Sequence, residues 1–171
     1  MLGKWNGTTI GYMGFFSGAD TTNKDDGVLK FATTPSGGSA TVAMTIDSSQ
    51  NVGIGVSSLE TQNSQYVALQ LGGNANIIAK TSDQASNPLN ILQNAYAAPD
   101  TNWKKIIEDQ SSRYSQLDGS HTFFVNNVTG AADDNITWAT ALTIGADANA
   151  TFGGSGTFAS QVKVTGSSAS T

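Results

Sequence analysis

Residues 41–55 read TVAMTIDSSQNVGIG, and residues 139–153 read ATALTIGADANATFG. Met44 and Leu142 are 98 positions apart, and so are Asn51 and Asn149. In both stretches apolar and polar residues alternate, four small or polar residues follow, and a short strand-like run then ends in glycine. Alternation with a period of two predicts β-strands, and the short polar connection predicts a hairpin. The two stretches therefore predict the same closing hairpin in two related units.

Matching residues outside these two stretches extend the repeat. Trp5 and Trp103 are also 98 positions apart, but the Asp-Gly steps at 26–27 and 118–119 are only 92 apart. Unit two is six residues shorter before this turn, and it recovers the six in the polar stretch 128–135. Because surface loops tolerate insertion far better than strands, equal and opposite length changes indicate a shared strand scaffold.

The repeat predicts a modular chain. We expect a first β module that is incomplete at its N-terminal side, a linker or a short helical turn that starts at Ser57 or Ser58, a second module opened by a hairpin at 66–80, and the start of a thin fibrous β segment or a tail. The expected boundaries are 1–55, 56–65, 66–153 and 154–171. Since the first module lacks the opening hairpin, we expect the chain to be part of a longer modular fibre.

Nine apolar residues are predicted to be packing anchors, because they recur between the units or alternate on one strand face. They are Trp5, Phe31, Met44, Ile46, Trp103, Phe123, Trp138, Leu142 and Ile144.

Composition limits the possible functions. Of 171 residues, 38% are apolar and 12% are charged, which is typical of a turn-rich β protein with a thin core that partner chains complete. The net charge of −5 and the scattered basic residues argue against nucleic-acid binding. There is no cysteine, so no disulfide or thiolate metal site is expected. No apolar run reaches the roughly 18 residues that predict a membrane span.

Catalytic and metal-binding patterns are weak. His121 is the only histidine, and no Gly-x-Ser-x-Gly motif accompanies it, so we interpret it as an ordinary strand residue. The Asp pairs at 25–26 and 133–134 are sequence neighbours, and neighbours on a strand point to opposite faces. We interpret them as turn residues. No calcium-loop or phosphate-loop pattern is present, so neither an enzyme nor a cofactor is expected.

Exposed aromatic residues could stack on sugars. Trp5, Tyr96, Trp103, Tyr114 and Trp138 are the candidates, and the two recurring tryptophans fit packing better. Tyr96 and Tyr114 lie beside variable polar stretches and are the predicted receptor-binding residues.

The segments KWNGTTIGYMGFFSGADTTNKDDGVLKFATTPSGGS and MTIDSSQNVGIG resemble the repeat modules of bacteriophage tail fibres of the marine and environmental type. The segments LQNAY, NWKK and SRYSQLDGSHTFFVNNVTG resemble a sister module. The resemblance covers nearly all of residues 4–153, and residues 44–55 are its most specific part. Gln50 departs from it where glycine is common, and Ala146-Asp147 replaces the usual polar turn.

The resemblance implies an all-β, elongated fibre of short antiparallel strands and hairpins, forming a parallel homotrimer with intertwined or edge-sharing sheets. It implies a virion protein that assembles in the host cytoplasm and acts outside the cell. Its partners would be itself, other virion proteins, and a glycan or protein of the host surface, without membrane insertion. Three alternatives remain open at this point: a tailspike-type polysaccharide depolymerase, a head fibre or capsid decoration protein, and a bacterial surface adhesin.

Overall fold

The computed structural model describes residues 1–82 and 85–155 and is all-β in that part of the chain. Fourteen strands follow one another: β1 (Leu2–Trp5), β2 (Thr8–Ser17), β3 (Gly27–Thr33), β4 (Thr41–Ile46), β5 (Val52–Ile54), β6 (Tyr66–Leu71), β7 (Ala75–Lys80), β8 (Leu89–Gln93), β9 (Tyr96–Ala97), β10 (Trp103–Lys104), β11 (Asp109–Leu117), β12 (Ser120–Gly130), β13 (Ala139–Ile144) and β14 (Ala150–Phe152).

Twelve strands form one sheet in the order β1-β2-β3-β4-β5-β6-β7-β8-β11-β12-β13-β14, and β9 and β10 form a separate hairpin. All neighbours in the large sheet are antiparallel except β5 and β6, which are parallel. Neighbouring strands are separated by about 4.8 Å, so the sheet is about 50 Å across. The all-β and mainly antiparallel prediction is confirmed.

The strand register reproduces the repeat found in the sequence. Phe31 of β3 pairs with Met44 of β4, and Phe123 of β12 pairs with Leu142 of β13. A bulge directly follows each of these phenylalanines, between Phe31 and Ala32 in unit one and between Phe123 and Phe124 in unit two. A bulge changes the local strand twist, so both units bend their sheet at the same place.

The two units differ in the turn before this pair, as the sequence predicts. A long loop, residues 18–26, joins β2 to β3, whereas Asp118 and Gly119 alone join β11 to β12. Both of these residues have positive φ, 49° and 76°. Positive φ at both central residues is characteristic of the tight turns that suit the twist of a hairpin.

Residues 56–65 contain no helix, so the predicted helical turn at Ser57 or Ser58 is wrong. This segment crosses the sheet and lets β6 run parallel to β5. Leu59 and Val56 lie over Gly53, where a Cβ atom would be within 2.9 Å of both side chains. The large sheet continues through β5 and β6 without a gap. The segment 154–171 predicted as fibrous lies almost entirely outside the described residues.

Candidate interaction surface

A continuous row of apolar and aromatic residues crosses the large sheet from β2 to β14. Each member is the direct register partner of the next, so all lie on the same face. The row is Phe15, Leu29, Ile46, Val52, Leu69, Ile77, Ile91, Tyr114, Phe123, Leu142 and Phe152. We call the face that carries it the apolar face.

The apolar face is open to solvent in the single chain. Phe15 is 83% exposed, and Ile91, Phe123 and Phe152 are each more than 40% exposed. None of the row residues, and none of the residues two positions before or after them on the described strands, is Asp, Glu, Lys or Arg. A contiguous uncharged apolar surface of this extent is characteristic of an interaction site.

The opposite face, which we call the covered face, has the reverse character. Its small and polar side chains are buried, including those of Thr45, Gln70, Asn76, Asn90 and Ser115. The hairpin of β9 and β10 and its flanking loops lie over this face, and Ala95, Ala97 and Ile136 pack there against Ala68, Ile78 and Leu92. Over β6, β7 and β8 the chain therefore covers its more polar face and leaves its more apolar face open.

Arg113 lies on the covered face inside an aromatic cage. Its guanidinium carbon is 3.9 Å from the ring centroid of Phe124, 4.8 Å from that of Trp103 and 5.2 Å from that of Trp138. Burial lowers the pKa of Arg113 to about 10, and the nearby Tyr66 acts in the opposite direction. The cation interacts favourably with the ring faces, so the cage joins β10, β11 and β12 and the loop before β13.

Lys105 is buried beneath the same hairpin and binds neutral acceptors. Its Nζ donates to the carbonyl of Asp109 at 2.6 Å, to Asn126 Oδ1 at 3.1 Å and to Ser111 Oγ at 3.3 Å. The one salt bridge among the described residues joins Lys104 and Asp100 at 2.8 Å. Three acceptors satisfy all the protons of an ammonium group, which fits a structural clamp.

Buried asparagines fasten the covering loops to the sheet. Asn94 Oδ1 accepts the N–H groups of Ile106 and Ile107, and its Nδ2 donates to the carbonyls of Ile107 and Gln110. Asn76 Nδ2 donates to the carbonyl of Ala95 at 2.9 Å. Sequence reasoning missed these residues because asparagine is typical of turns, and only their burial distinguishes them.

Tyr96, predicted to contact a receptor, is buried instead. Its hydroxyl donates to Asp133 Oδ1 at 2.6 Å, and its ring packs with Ala98 and Ile106. Burial, followed by the bond to Asp133 and the charge of that carboxylate, raises the pKa of Tyr96. Burial and the same charge raise the pKa of Glu60. The covering loop encloses the ring of Tyr96, and this burial argues against a receptor contact at this residue.

Tyr114 lies in the apolar row rather than in a loop. Its ring stacks on His121 at 5.9 Å between centroids and packs against Phe123 at 4.8 Å. Its hydroxyl hydrogen-bonds His121 Nδ1 and accepts a bond from Gln116 Nε2 at 2.9 Å. His121 lies on a sheet face, as the sequence predicts. Tyr114 is part of a packing surface.

The predicted anchors divide into three groups. Trp103 and Trp138 pack against the buried cluster of the covered face. Phe31, Met44, Ile46, Phe123, Leu142 and Ile144 lie on the apolar face. Trp5 is 78% exposed, so its predicted packing role is not found within the chain. The reason is that β1 folds back directly on β2, whereas β10 leaves the large sheet to pair with β9.

The described residues contain no group of three or more His, Asp or Glu side chains placed to hold a metal ion. In the same part of the chain, no helix is long and apolar enough to cross a membrane.

Comparison with protein families, with curated proteins and with solved structures finds no match to this chain.

Proposed function

We propose that the chain is a non-enzymatic structural and host-receptor-binding segment of a phage tail fibre, assembled as a parallel homotrimer through the apolar face. The observation that carries the proposal is the apolar row of the large sheet. The tail-fibre part of the proposal rests on the resemblance of residues 4–153, and the row supports the assembly part.

The composition of the row favours a second and third copy of the same chain as its cover. Burying a valine, leucine, isoleucine or phenylalanine side chain contributes roughly 1.5–3 kcal/mol, and the row offers such residues on ten of its eleven strands together with Tyr114. An uncharged face brings no like charges together when identical copies meet. Homo-oligomers with closed symmetry are the common solution for such a surface.

Assembly through this face would leave the covered face and its loops on the outside of the particle. Those loops are rich in polar side chains, and they would be presented once by each chain in each module. Several weak contacts to a repetitive host surface then give useful avidity. The receptor contacts proposed here therefore lie in outward loops, and no longer at Tyr96 or Tyr114.

Light scattering coupled to size-exclusion chromatography tests the assembly. At micromolar concentration we expect a mass of three times the 17.6 kDa chain. Phe123→Asp would place a carboxylate within the row, on its third strand from the β14 end, and is expected to give smaller species. Val128→Asp is the matched control, because Val128 is exposed on the same strand but lines a shallow groove with Asn126 and Lys105, away from the row. A compact monomeric wild type would contradict the assembly.

Attachment is tested separately on a panel of Gram-negative and Gram-positive cells with the fluorescently labelled chain. We expect binding to at least one strain, reduced at least tenfold for the dissociated Phe123→Asp variant. Binding to no strain would contradict the receptor role and would not bear on the proposed trimer.

The position of the chain in the particle is a separate question. Immunogold electron microscopy with an antibody to the chain would place it on the tail or on the head.

A further inference from the structure

A small cavity lies on the covered face, where residues 56–65 and the start of β6 meet the hairpin of β9 and β10. Asn63, Gln65 and Tyr66 line it on one side, and four residues of the hairpin and its turn line it on the other. None of the lining residues is charged. Assembly through the apolar face leaves this cavity open, so it is available to an uncharged ligand.

The most buried lining residues, Ala97 and Ala98, form the floor of the cavity. Both are at most 5% exposed. The carbonyl of Ala97 accepts the N–H of Asn63 at 2.7 Å, and the carbonyl of Ala98 accepts the N–H of Thr101 at 3.0 Å. The N–H groups of the two alanines are also bonded, at 3.3 Å and 2.9 Å. Because every backbone polar group of the floor is occupied, the floor suits an apolar group.

Two aromatic rings form a wall beside the floor. The ring centroids of Tyr66 and Trp103 are 6.3 Å apart, and their planes meet at 58°. Trp138 contacts Trp103 edge-on at 6.3 Å, and the guanidinium of Arg113 lies 4.8 Å from the Trp103 ring. The wall is therefore held in place before a ligand arrives, which lowers the entropy cost of binding.

One largely buried hydrogen-bond donor beside the cavity has no acceptor. Asn63 is 8% exposed, and its Oδ1 accepts the N–H of Gln65 at 3.0 Å. This bond fixes the orientation of the carboxamide, so Nδ2 is the group that can meet a ligand. Within residues 1–82 and 85–155, no acceptor for Asn63 Nδ2 is found. Since a buried donor without a partner is costly, the site suits a ligand that carries a carbonyl oxygen.

The size of the cavity limits the ligand to a small substituent. Its volume is about 70 Å³, whereas pockets that enclose a whole drug-sized ligand measure roughly 300–1,000 Å³. The floor and the wall suit a methyl group, and the free donor suits a carbonyl oxygen next to it. An acetamido group has both. At the rim, the exposed side chains of Gln65 and Thr101 present a carboxamide and a hydroxyl, which pair with sugar hydroxyl groups.

We propose that this cavity binds the acetamido group of an N-acetylated sugar on the host surface. The methyl group packs on the floor and against the aromatic wall, and the carbonyl oxygen accepts a hydrogen bond from Asn63 Nδ2. The sugar ring stays outside the cavity, beside Gln65 and Thr101. This inference rests on the proposed receptor role, and it names the class of ligand and the residues that bind it.

Saturation-transfer difference NMR on the full chain tests the class of ligand. The probes are the methyl glycosides of N-acetylglucosamine, of N-acetylgalactosamine, and of glucose, which has no acetamido group. We expect at least one N-acetyl probe to bind about tenfold or more tightly than the glucose probe, with the largest saturation on its acetyl methyl protons. Binding of neither N-acetyl probe, equal binding of the glucose probe, or tighter binding of an acetylated lysine peptide would overturn the proposal.

Asn63→Asp tests the buried donor. The new carboxylate still accepts the N–H of Gln65, so the fold should be kept, but it offers no donor to the ligand. We expect the affinity for the N-acetyl probe to fall about tenfold or more. Asn102→Asp is the matched control, because Asn102 is exposed in the neighbouring turn and does not line the cavity. Equal affinities for the two variants would refute the role of Asn63.

Cell attachment separates this inference from the proposed function. On a strain to which the chain attaches, an excess of the N-acetyl probe should reduce attachment, and the glucose probe should not. Attachment that neither the N-acetyl probe nor Asn63→Asp reduces would overturn the role of the cavity and leave the receptor role standing. A chain that binds the N-acetyl probe but attaches to no strain would contradict the receptor role alone.

Discussion

At the scale of single residues, asparagine carries much of the architecture. Asn94 has 0% exposure, a positive φ of 53° and four side-chain hydrogen bonds to three other residues. Nothing in the local sequence LQNAY distinguishes it from the turn asparagines that surround it. Polar residues in strands and loops show no periodicity when their partners are backbone atoms far along the chain, so burial of this kind is not predictable from the sequence.

Replacing Asn94 by alanine is expected to be strongly destabilising. The change leaves buried N–H and carbonyl groups of the covering loop without partners, at about 1–3 kcal/mol for each group. We expect a total loss of about 3 kcal/mol or more in the free energy of unfolding, measured by urea denaturation. Asn102→Ala, in an exposed turn, is the control and should change the value by less than about 0.5 kcal/mol. Equal effects would contradict the role of Asn94.

The carboxyl group of Glu60 is expected to make the stability of the folded chain depend on pH. Burial and the charge of Asp133 raise its pKa above the ordinary value of 4.5. Between the unfolded and the folded pKa, the native state binds more protons than the unfolded state, so this group makes stability fall as pH rises. Glu60→Gln should therefore raise the melting temperature at pH 7 and have less effect at pH 4. A larger increase in melting temperature at pH 4 than at pH 7 would contradict a raised pKa of Glu60.

At the scale of elements, the sequence predicts where the strands lie. It does not predict which face of the sheet other segments cover. Alternation in TVAMTI predicted β4, and the structure begins and ends that strand at the same residues, Thr41–Ile46. Alternation also predicted that Val42, Met44 and Ile46 share one face, but the bulge after Phe31 pairs Val42 with Ala32, on the face opposite Phe31 and Met44. Alternation does not show a bulge of this kind. It could not show that the hairpin of β9 and β10 would cover the opposite face, because that depends on contacts between distant segments.

The connection between β2 and β3 is expected to be exchangeable for its counterpart in unit two. Ser17 pairs with Gly27, as Leu117 pairs with Ser120, so each connection starts and ends at a register pair. Replacing residues 18–26 by Asp-Gly should keep the sheet and change the free energy of unfolding by about 1.5 kcal/mol or less, because loop-closure entropy varies slowly with length.

The control for the exchanged connection carries Ala-Ala in place of Asp-Gly. Alanine disfavours the positive φ that Asp118 and Gly119 adopt, so this control should be less stable than the Asp-Gly variant. Thermal melts followed by circular dichroism compare the two variants. If the Asp-Gly variant were the less stable one, the two connections would not be equivalent.

At the scale of the whole molecule, the apolar face couples folding to assembly. A chain that leaves an uncharged apolar row open gains stability when copies of itself cover the row. For a trimer, each tenfold increase in concentration adds about 0.9 kcal/mol per chain. With an unfolding entropy of about 2.1 cal/mol/K per residue, the melting temperature should rise by about 2–3 °C for each tenfold increase. Differential scanning fluorimetry over a hundredfold range of concentration measures this slope.

The salt dependence of the melting temperature distinguishes an apolar interface from a charged one. Ion pairs between exposed groups weaken as the Debye length falls from about 10 Å at 0.1 M to 3 Å at 1 M. Since the row and its flanking positions carry no Asp, Glu, Lys or Arg, the concentration slope should be the same in about 0.1 M and about 1 M NaCl. The Phe123→Asp chain should have no slope in either buffer. A wild-type slope that disappears at high salt would place the interface on charged loops, and a melting temperature independent of concentration would mean that the row stays open.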